Sequence, residues 1–165
     1  MNSLRVMTTA YLFCGDSVLL MERSSQKSFI PGVWSGIGGH VESNEHGDLM
    51  SACLREIEEE TGLLLNNLDS ISLKYIVLRQ SKSELRQQFI YFGNANTKQI
   101  STSDEGTLHW IPCDQIFSCK MTDSNRLMLE HFFNNKKTDE VFVGAMYGEE
   151  SQPHIHWTLV SDWEK

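Results

Sequence analysis

The chain has 165 residues, 40% hydrophobic and 22% charged, and its 14 Lys and Arg against 22 Asp and Glu leave a net charge of −8. That length predicts a single domain over residues 1–165, and the composition excludes disordered, collagen-like and Pro-rich material. No apolar run reaches the roughly 18–20 residues of a membrane span, and the acidic balance argues against polymeric nucleic acid as a partner.

Arg5–Phe13 and Ser17–Met21 are apolar, partly β-branched runs separated by Cys14-Gly15-Asp16, the pattern of a hairpin. The residues before them carry no signal-peptide core. A Ser/Lys loop, Ser24–Ser28, leads to Pro31 and a stretch with four glycines from Gly32 to Gly39, which excludes a helix and predicts backbone close to a ligand or in turns of positive φ. Asp48 is the expected N-cap of a helix running to about Thr61, with Gly62 as its stop and Leu49, Cys53 and Ile57, extended by Met50 and Leu54, as the apolar stripe. Strands are expected over Ser72–Arg79 and Gln88–Asn94, then a polar loop Asn96–Gly106, a short strand Leu108–Ile111 and a turn opened by Pro112. Ser124–Asn134 reads as a second amphipathic helix with Leu127, Met128 and Phe132 facing inward, and Val141–Ala145 and Ile155–Val160 as late strands. Hairpins mixed with two helices predict an α+β fold, an α/β/α sandwich with a mixed sheet flanked by helices. Cys14, Cys53, Cys113 and Cys119 contain no CxxC pair and read as free thiols, which places the expected location in the cytoplasm.

Acidic side chains crowd one stretch: Glu42, Glu45, Asp48, Glu56, Glu58, Glu59 and Glu60 stand against the single base Arg55. On a helix Glu56, Glu59 and Glu60 share one face through i+3 and i+4 spacing, Glu58 points roughly opposite, and Ile57 faces the core. Three carboxylates beside a glycine-rich segment suit a hard divalent cation. The competing reading is a solvated acidic face, where each like-charge pair costs only about 0.2–0.5 kcal/mol.

The order of these residues decides between the two. Gly39, Glu45, Arg55, Glu56, Ile57, Glu59, Glu60, Gly62 and Leu63 occupy every typed position of a signature that resembles the Nudix box: Gly, five residues, Glu, seven residues, Arg-Glu-aliphatic-x-Glu-Glu-x-Gly-aliphatic. One departure is visible: nine residues, His46–Leu54, separate Glu45 from Arg55 where seven are usual. Asp48 in the cap position lets the helix keep its phase while the loop grows by His46-Gly47. Val33 to Glu42 further resembles the branch that includes 8-oxo-dGTP and other nucleoside triphosphate diphosphatases, and Trp110-Ile111-Pro112 fits the family layout.

The resemblance implies a pyrophosphohydrolase. Its metal ligands would be Glu56, Glu59, Glu60 and the Gly39 carbonyl, holding Mg²⁺ or alternatively Mn²⁺. Arg55 would orient a helix carboxylate, Glu42 would stand in the outer ligand sphere, and Glu59 would be the first choice of general base, with Glu105 the alternative from another loop. Arg23 is a phosphate contact or an ordinary surface Arg. His40 touches phosphate or fills space, and Trp34, Tyr91 and Trp110 stack on a base or pack in the core. The implied reaction converts a nucleoside triphosphate, oxidised ones included, to the monophosphate and pyrophosphate. ADP-ribose or diphosphate-sugar cleavage is the enzymatic alternative, and a non-catalytic nucleotide sensor on the same fold is the rival from another class. A small nucleotide is the expected partner, with no membrane and with a homodimer left open. An isomerase of isopentenyl diphosphate would need a cysteine in a setting that Cys14 and Cys53 lack. No Asp-x-Asp-x-Asp-Gly loop supports a Ca²⁺ module, and His154 and His156 alternate on a strand without a third zinc ligand.

Overall fold

The first two apolar runs do form a hairpin. In the computed structural model, which describes residues 3–24, 32–81, 83–101, 104–135, 139–148 and 152–160, β1 (Ser3–Cys14) turns at Gly15 into β2 (Ser17–Arg23). The pair holds together only near the turn, from Leu12↔Leu19 to Cys14↔Ser17. Beyond it β2 pairs along its length with β6 (Gly106–Pro112), from Ser17↔Pro112 to Arg23↔Gly106, and at its end with β3 (Trp34–Ser35).

The edge that β2 leaves open on β1 is taken by the glycine segment. Thr8 N donates to Gly39 O (3.0 Å), Ile37 and Ala10 exchange both backbone bonds, and Val41 N donates to Val6 O (3.1 Å). Here the glycines are obligatory: Gly38 has φ +149°, and a Cβ on it would lie 2.2 Å from Thr8 O.

β4 (Leu68–Ser81) and β5 (Glu84–Ala95) form a long antiparallel pair, β5 lies parallel to β1, and β4 lies parallel to β7 (Phe142–Tyr147), which pairs with β8 (His154–Leu159). The result is one mixed eight-stranded sheet in the order β3-β2-β1-β5-β4-β7-β8, with β6 beside β2. β4 and β5 begin four residues earlier than expected, because Leu68 to Ile71 and Glu84 to Gln87 mix polar residues with partly exposed apolar ones and so lack strand alternation.

The two helices, α1 (Leu49–Thr61) and α2 (Asp123–Asn134), cover opposite faces. Alternation along the strands makes this possible: Tyr11, Val18, Leu20, Ile90 and Phe92 pack under α2, while Ala10, Leu12, Leu19, Met21 and Tyr91 pack under α1. The expected α+β sandwich is therefore present. In α1, Cys53 and Ile57 are buried as expected, together with Ala52. In α2 the inward pair is Met128 and Leu129; Leu127 is only half-buried, a correction of one position in the predicted stripe. Tyr75 on β4 ties the sheet to α2 through a 2.9 Å hydrogen bond between its hydroxyl and His131 Nδ1. Pro112 ends β6 and is followed by a short 3-10 helix, Cys113–Ser118. Most of the expected Ser24–Ser28 loop, and Pro31, lie outside the described residues. Among the described residues no helix is long and apolar enough to cross a membrane.

Candidate active site

The acidic helix is set by its cap. Asp48 takes the N-cap position, its carboxylate accepting from Ser51 N (3.1 Å) and Ser51 Oγ (2.7 Å). At the other end Gly62 adopts φ +74° and its N–H donates to Glu58 O. His46 and Gly47 are exposed in the preceding turn, where Glu45 N donates to Glu42 O (3.0 Å) and Asp48 N to Glu45 O (2.8 Å). The two extra residues thus enlarge the loop and leave the helix in phase.

Arg55 organises the carboxylates around it. Its Nε donates to Glu45 Oε1 (2.7 Å) and its Nη2 to Glu45 Oε2 (2.9 Å), a two-pronged grip that the longer loop does not disturb. Nη1 reaches Glu56 Oε1 (3.0 Å) and Glu59 Oε2 (2.9 Å), and Nη2 also reaches the His40 carbonyl (3.2 Å). The guanidinium holds the Glu45 carboxyl down at about 2, with the Glu42 N–H helping.

The three helix carboxylates share a face but not an environment. Glu59 is 59% exposed, Glu56 is 13% exposed, and Glu60 is buried. Glu60 Oε2 accepts from Gly38 N at 3.0 Å, and both Glu56 oxygens lie 2.7 Å from where a Cβ on Gly39 would be. Gly39 is therefore bare because the Glu56 carboxylate presses against it, whereas Gly36 and Gly38 are bare because the β1 backbone does. Burial pushes the Glu60 carboxyl far above its ordinary range, against the pull of the Gly38 N–H, and the Glu105 and Glu56 charges push it further. Burial raises Glu56 as well, against the opposing pull of Arg55.

Glu105 is carried to this cluster by the β2–β6 ladder, with Ser24 N donating to Glu105 O (3.1 Å). Glu105, Glu56, Glu42 and Arg55 line a cleft of about 510 Å³ that also meets Gly39, His40 and Arg23. Arg23, at the end of β2, reaches Ser35 Oγ with its Nε (3.4 Å), and its charge eases the burden on Glu60. His40 is exposed at the mouth.

The three aromatic candidates stand elsewhere. Trp34 packs on His109 with ring centres 5.1 Å apart, Tyr91 is buried under α1, and Trp110 donates to Lys98 O (3.1 Å). Sequence reasoning missed the burial of Glu60, since helical spacing groups residues by face and says nothing of depth.

Among the described residues no three acidic, His or Cys side chains already converge at coordinating distance, because Arg55 draws Glu56 and Glu59 to itself while Glu60 holds Gly38. The donor set nevertheless fits a hard divalent cation. It consists of carboxylate oxygens, one of them buried among like charges and held by the Gly38 N–H, beside a Gly39 carbonyl that has spent one of its two acceptor positions on Thr8.

Fold and cleft together set helix carboxylates against a glycine segment pinned to the sheet. Residues 4–132 match the model of the NUDIX domain, and the chain belongs to the Nudix family. Over 51 residues it is 49% identical to the m7GpppN-mRNA hydrolase NUDT17 of Xenopus laevis, a match covering 31% of this chain and 17% of that protein. The fold aligns with the crystal structure of the mMutator MutT protein from Bacillus halodurans at a TM-score of 0.72 and 20% identity, covering 96% of this chain and 99% of that one. It aligns with the NUDIX domain of Shewanella oneidensis NrtR, crystallised with ADP ribose, at 0.69 and 16% identity, covering 83% and 91%.

Proposed function

We propose that this chain is a Mg²⁺- or Mn²⁺-dependent pyrophosphohydrolase that cleaves the diphosphate linkage of a nucleoside diphosphate derivative. A nucleoside triphosphate, giving the monophosphate and pyrophosphate, is the first such substrate to test. The observation that carries this reading is the buried Glu60 carboxylate, crowded by Glu56 and Glu105 against the glycine segment. A buried carboxylate without a cationic partner is expensive to ionise, and a cation shared with substrate phosphates offsets that cost.

Glu56, Glu59, Glu60 and the Gly39 carbonyl would hold the cation, which would supply charge neutralisation at the phosphates and a lowered pKa for the attacking water. Arg55 keeps Glu56 and Glu59 in position through its Nη1. Arg23 and His40, at the cleft wall, would contact phosphate. The water's proton goes to Glu105 or Glu59. The cleft lining favours Glu105, because Glu59 turns outward to Arg55.

The names of the relatives agree with the class: an mRNA cap and ADP ribose are both nucleoside diphosphate derivatives. Binding without turnover is the second reading, supported by the likeness to a domain crystallised with ADP ribose. The test is a panel of nucleoside triphosphates, ADP ribose, a cap analogue and nucleotide sugars with Mg²⁺ or Mn²⁺, scored by products. Release of a nucleoside monophosphate supports the proposal. Tight binding of one ligand with no product from any would favour the sensor.

A further inference from the structure

On the α2 face of the sheet the apolar core stops before the strands do. Toward the start of β1 its aromatic packing gives way to Arg5 on β1, Arg86 and Gln88 on β5, and Arg79 on β4, and these side chains line a cavity of about 530 Å³. This is within the roughly 300–1,000 Å³ of small-molecule sites. It shares Met7, Arg23, Gly38 and His40 with the acidic cleft, so the two form one continuous groove.

Strand register puts three of these arginines in a line. Arg5 is paired with Arg86, and Arg86 with Arg79, across three adjacent strands. Like charges opposed on a sheet are destabilising, so the row is not explained by folding. A single carboxylate, Glu84, serves two of them: it meets Arg5 Nη2 at 2.9 Å and also pairs with Arg86. Arg79 makes no ion pair or side-chain hydrogen bond among the described residues. The opposite wall is the start of α2, where Asn125 is only 7% exposed and its side-chain amide is without a hydrogen bond among the described residues. Among those residues no Asp, Glu, Phe, Tyr or Trp lines the cavity. Planar, forked donors with surplus positive charge and no Phe, Tyr or Trp ring are the equipment for phosphate, not for a bare base.

We propose that this arm of the groove receives a second phosphate group, carried by the part of the substrate beyond the scissile diphosphate and gripped by Arg79 and Arg86. The inference rests on the pyrophosphohydrolase reading and narrows its substrates to those with an additional phosphate, either an ester on a sugar or a further link in a polyphosphate chain.

Matched pairs test it. NADPH against NADH and coenzyme A against dephospho-coenzyme A probe the ester, and diadenosine tetraphosphate against diadenosine diphosphate probes the chain. In the wild type kcat/KM for the phosphorylated member of at least one pair should exceed that of its partner by about tenfold or more, the scale of a charge-assisted hydrogen bond. In Arg79→Gln that ratio should fall toward one, and Arg79→Lys should retain part of it. The melting temperature of Arg79→Gln should be equal to or above the wild type, since a like charge leaves the row. Equal kcat/KM within every pair overturns the inference and leaves the hydrolase standing. So does an Arg79→Gln that melts lower and weakens both members alike. Ligand-induced thermal shift on the same pairs needs no turnover: discrimination of the extra phosphate without hydrolysis would overturn the hydrolase reading alone.

Discussion

Glu60 and Arg55 stand at the two ends of one charge balance. Glu60 is buried and its folded-state pKa is raised above the ordinary 4.5, so the native state binds its proton more readily than the unfolded chain does. Stability of the metal-free protein should therefore be greatest at the acid end of that window. It should fall as pH climbs from about 4.5 through the raised pKa, with Glu56 acting in the same direction. Melting curves across pH check this: Glu60→Gln should flatten the decline, and Mg²⁺ should do the same in the wild type. Glu45, held at about 2, works in reverse and costs stability only as the pH drops below the ordinary 4.5. Arg55 spans Glu45, Glu56, Glu59 and the His40 carbonyl, a geometry that an ammonium cannot reproduce. Arg55→Lys should fold, yet lose about 10–100-fold in kcat at saturating Mg²⁺, the usual scale for partners that orient metal ligands.

At the level of elements, the acidic helix owes its placement to a local cap. Asp48 closes α1 through Ser51, and the bond from Gly38 N to Glu60 docks the far end of the helix onto the glycine segment. Deleting His46-Gly47 should then leave Mg²⁺ affinity near the wild-type value, measured by calorimetric titration, because the Glu45–Arg55 contact belongs to the loop's base and not to its length. Loss of binding would mean that the two residues hold the register. In α2 the inward side chain is Leu129. Leu129→Ala should cost about 2–5 kcal/mol in chemical denaturation, and Leu127→Ala clearly less.

Seen as a whole, the molecule uses the two faces and one edge of a single sheet for different tasks. α1 brings acid to the β1 edge, while the uncovered end of the α2 face presents arginines. The acidic half was legible in the sequence because Glu56, Glu59, Glu60, Asp48 and Gly62 are related by the period of one helix, a local property. The sandwich was legible for the same reason, since Ala10 to Leu12 and Val18 to Met21 alternate between faces with a period of two. The arginine half was not. Arg5, Arg79 and Arg86 become neighbours only through the register of three strands, which residue patterning does not encode, and Arg86 lies before the expected strand Gln88–Asn94. Depth was equally hidden: only the glycine segment's docking on β1 makes Glu60 a buried group and Glu59 an exposed one.

The most direct measurement is a Mn²⁺ titration of wild type and Glu60→Gln, tracked by the paramagnetic resonance of free Mn²⁺, with folding of both checked by melting. Saturable binding is expected in the wild type, with a loss of roughly tenfold or more in affinity on removing the one charge. Equal affinity in the two proteins, or no saturable binding in either, would contradict it.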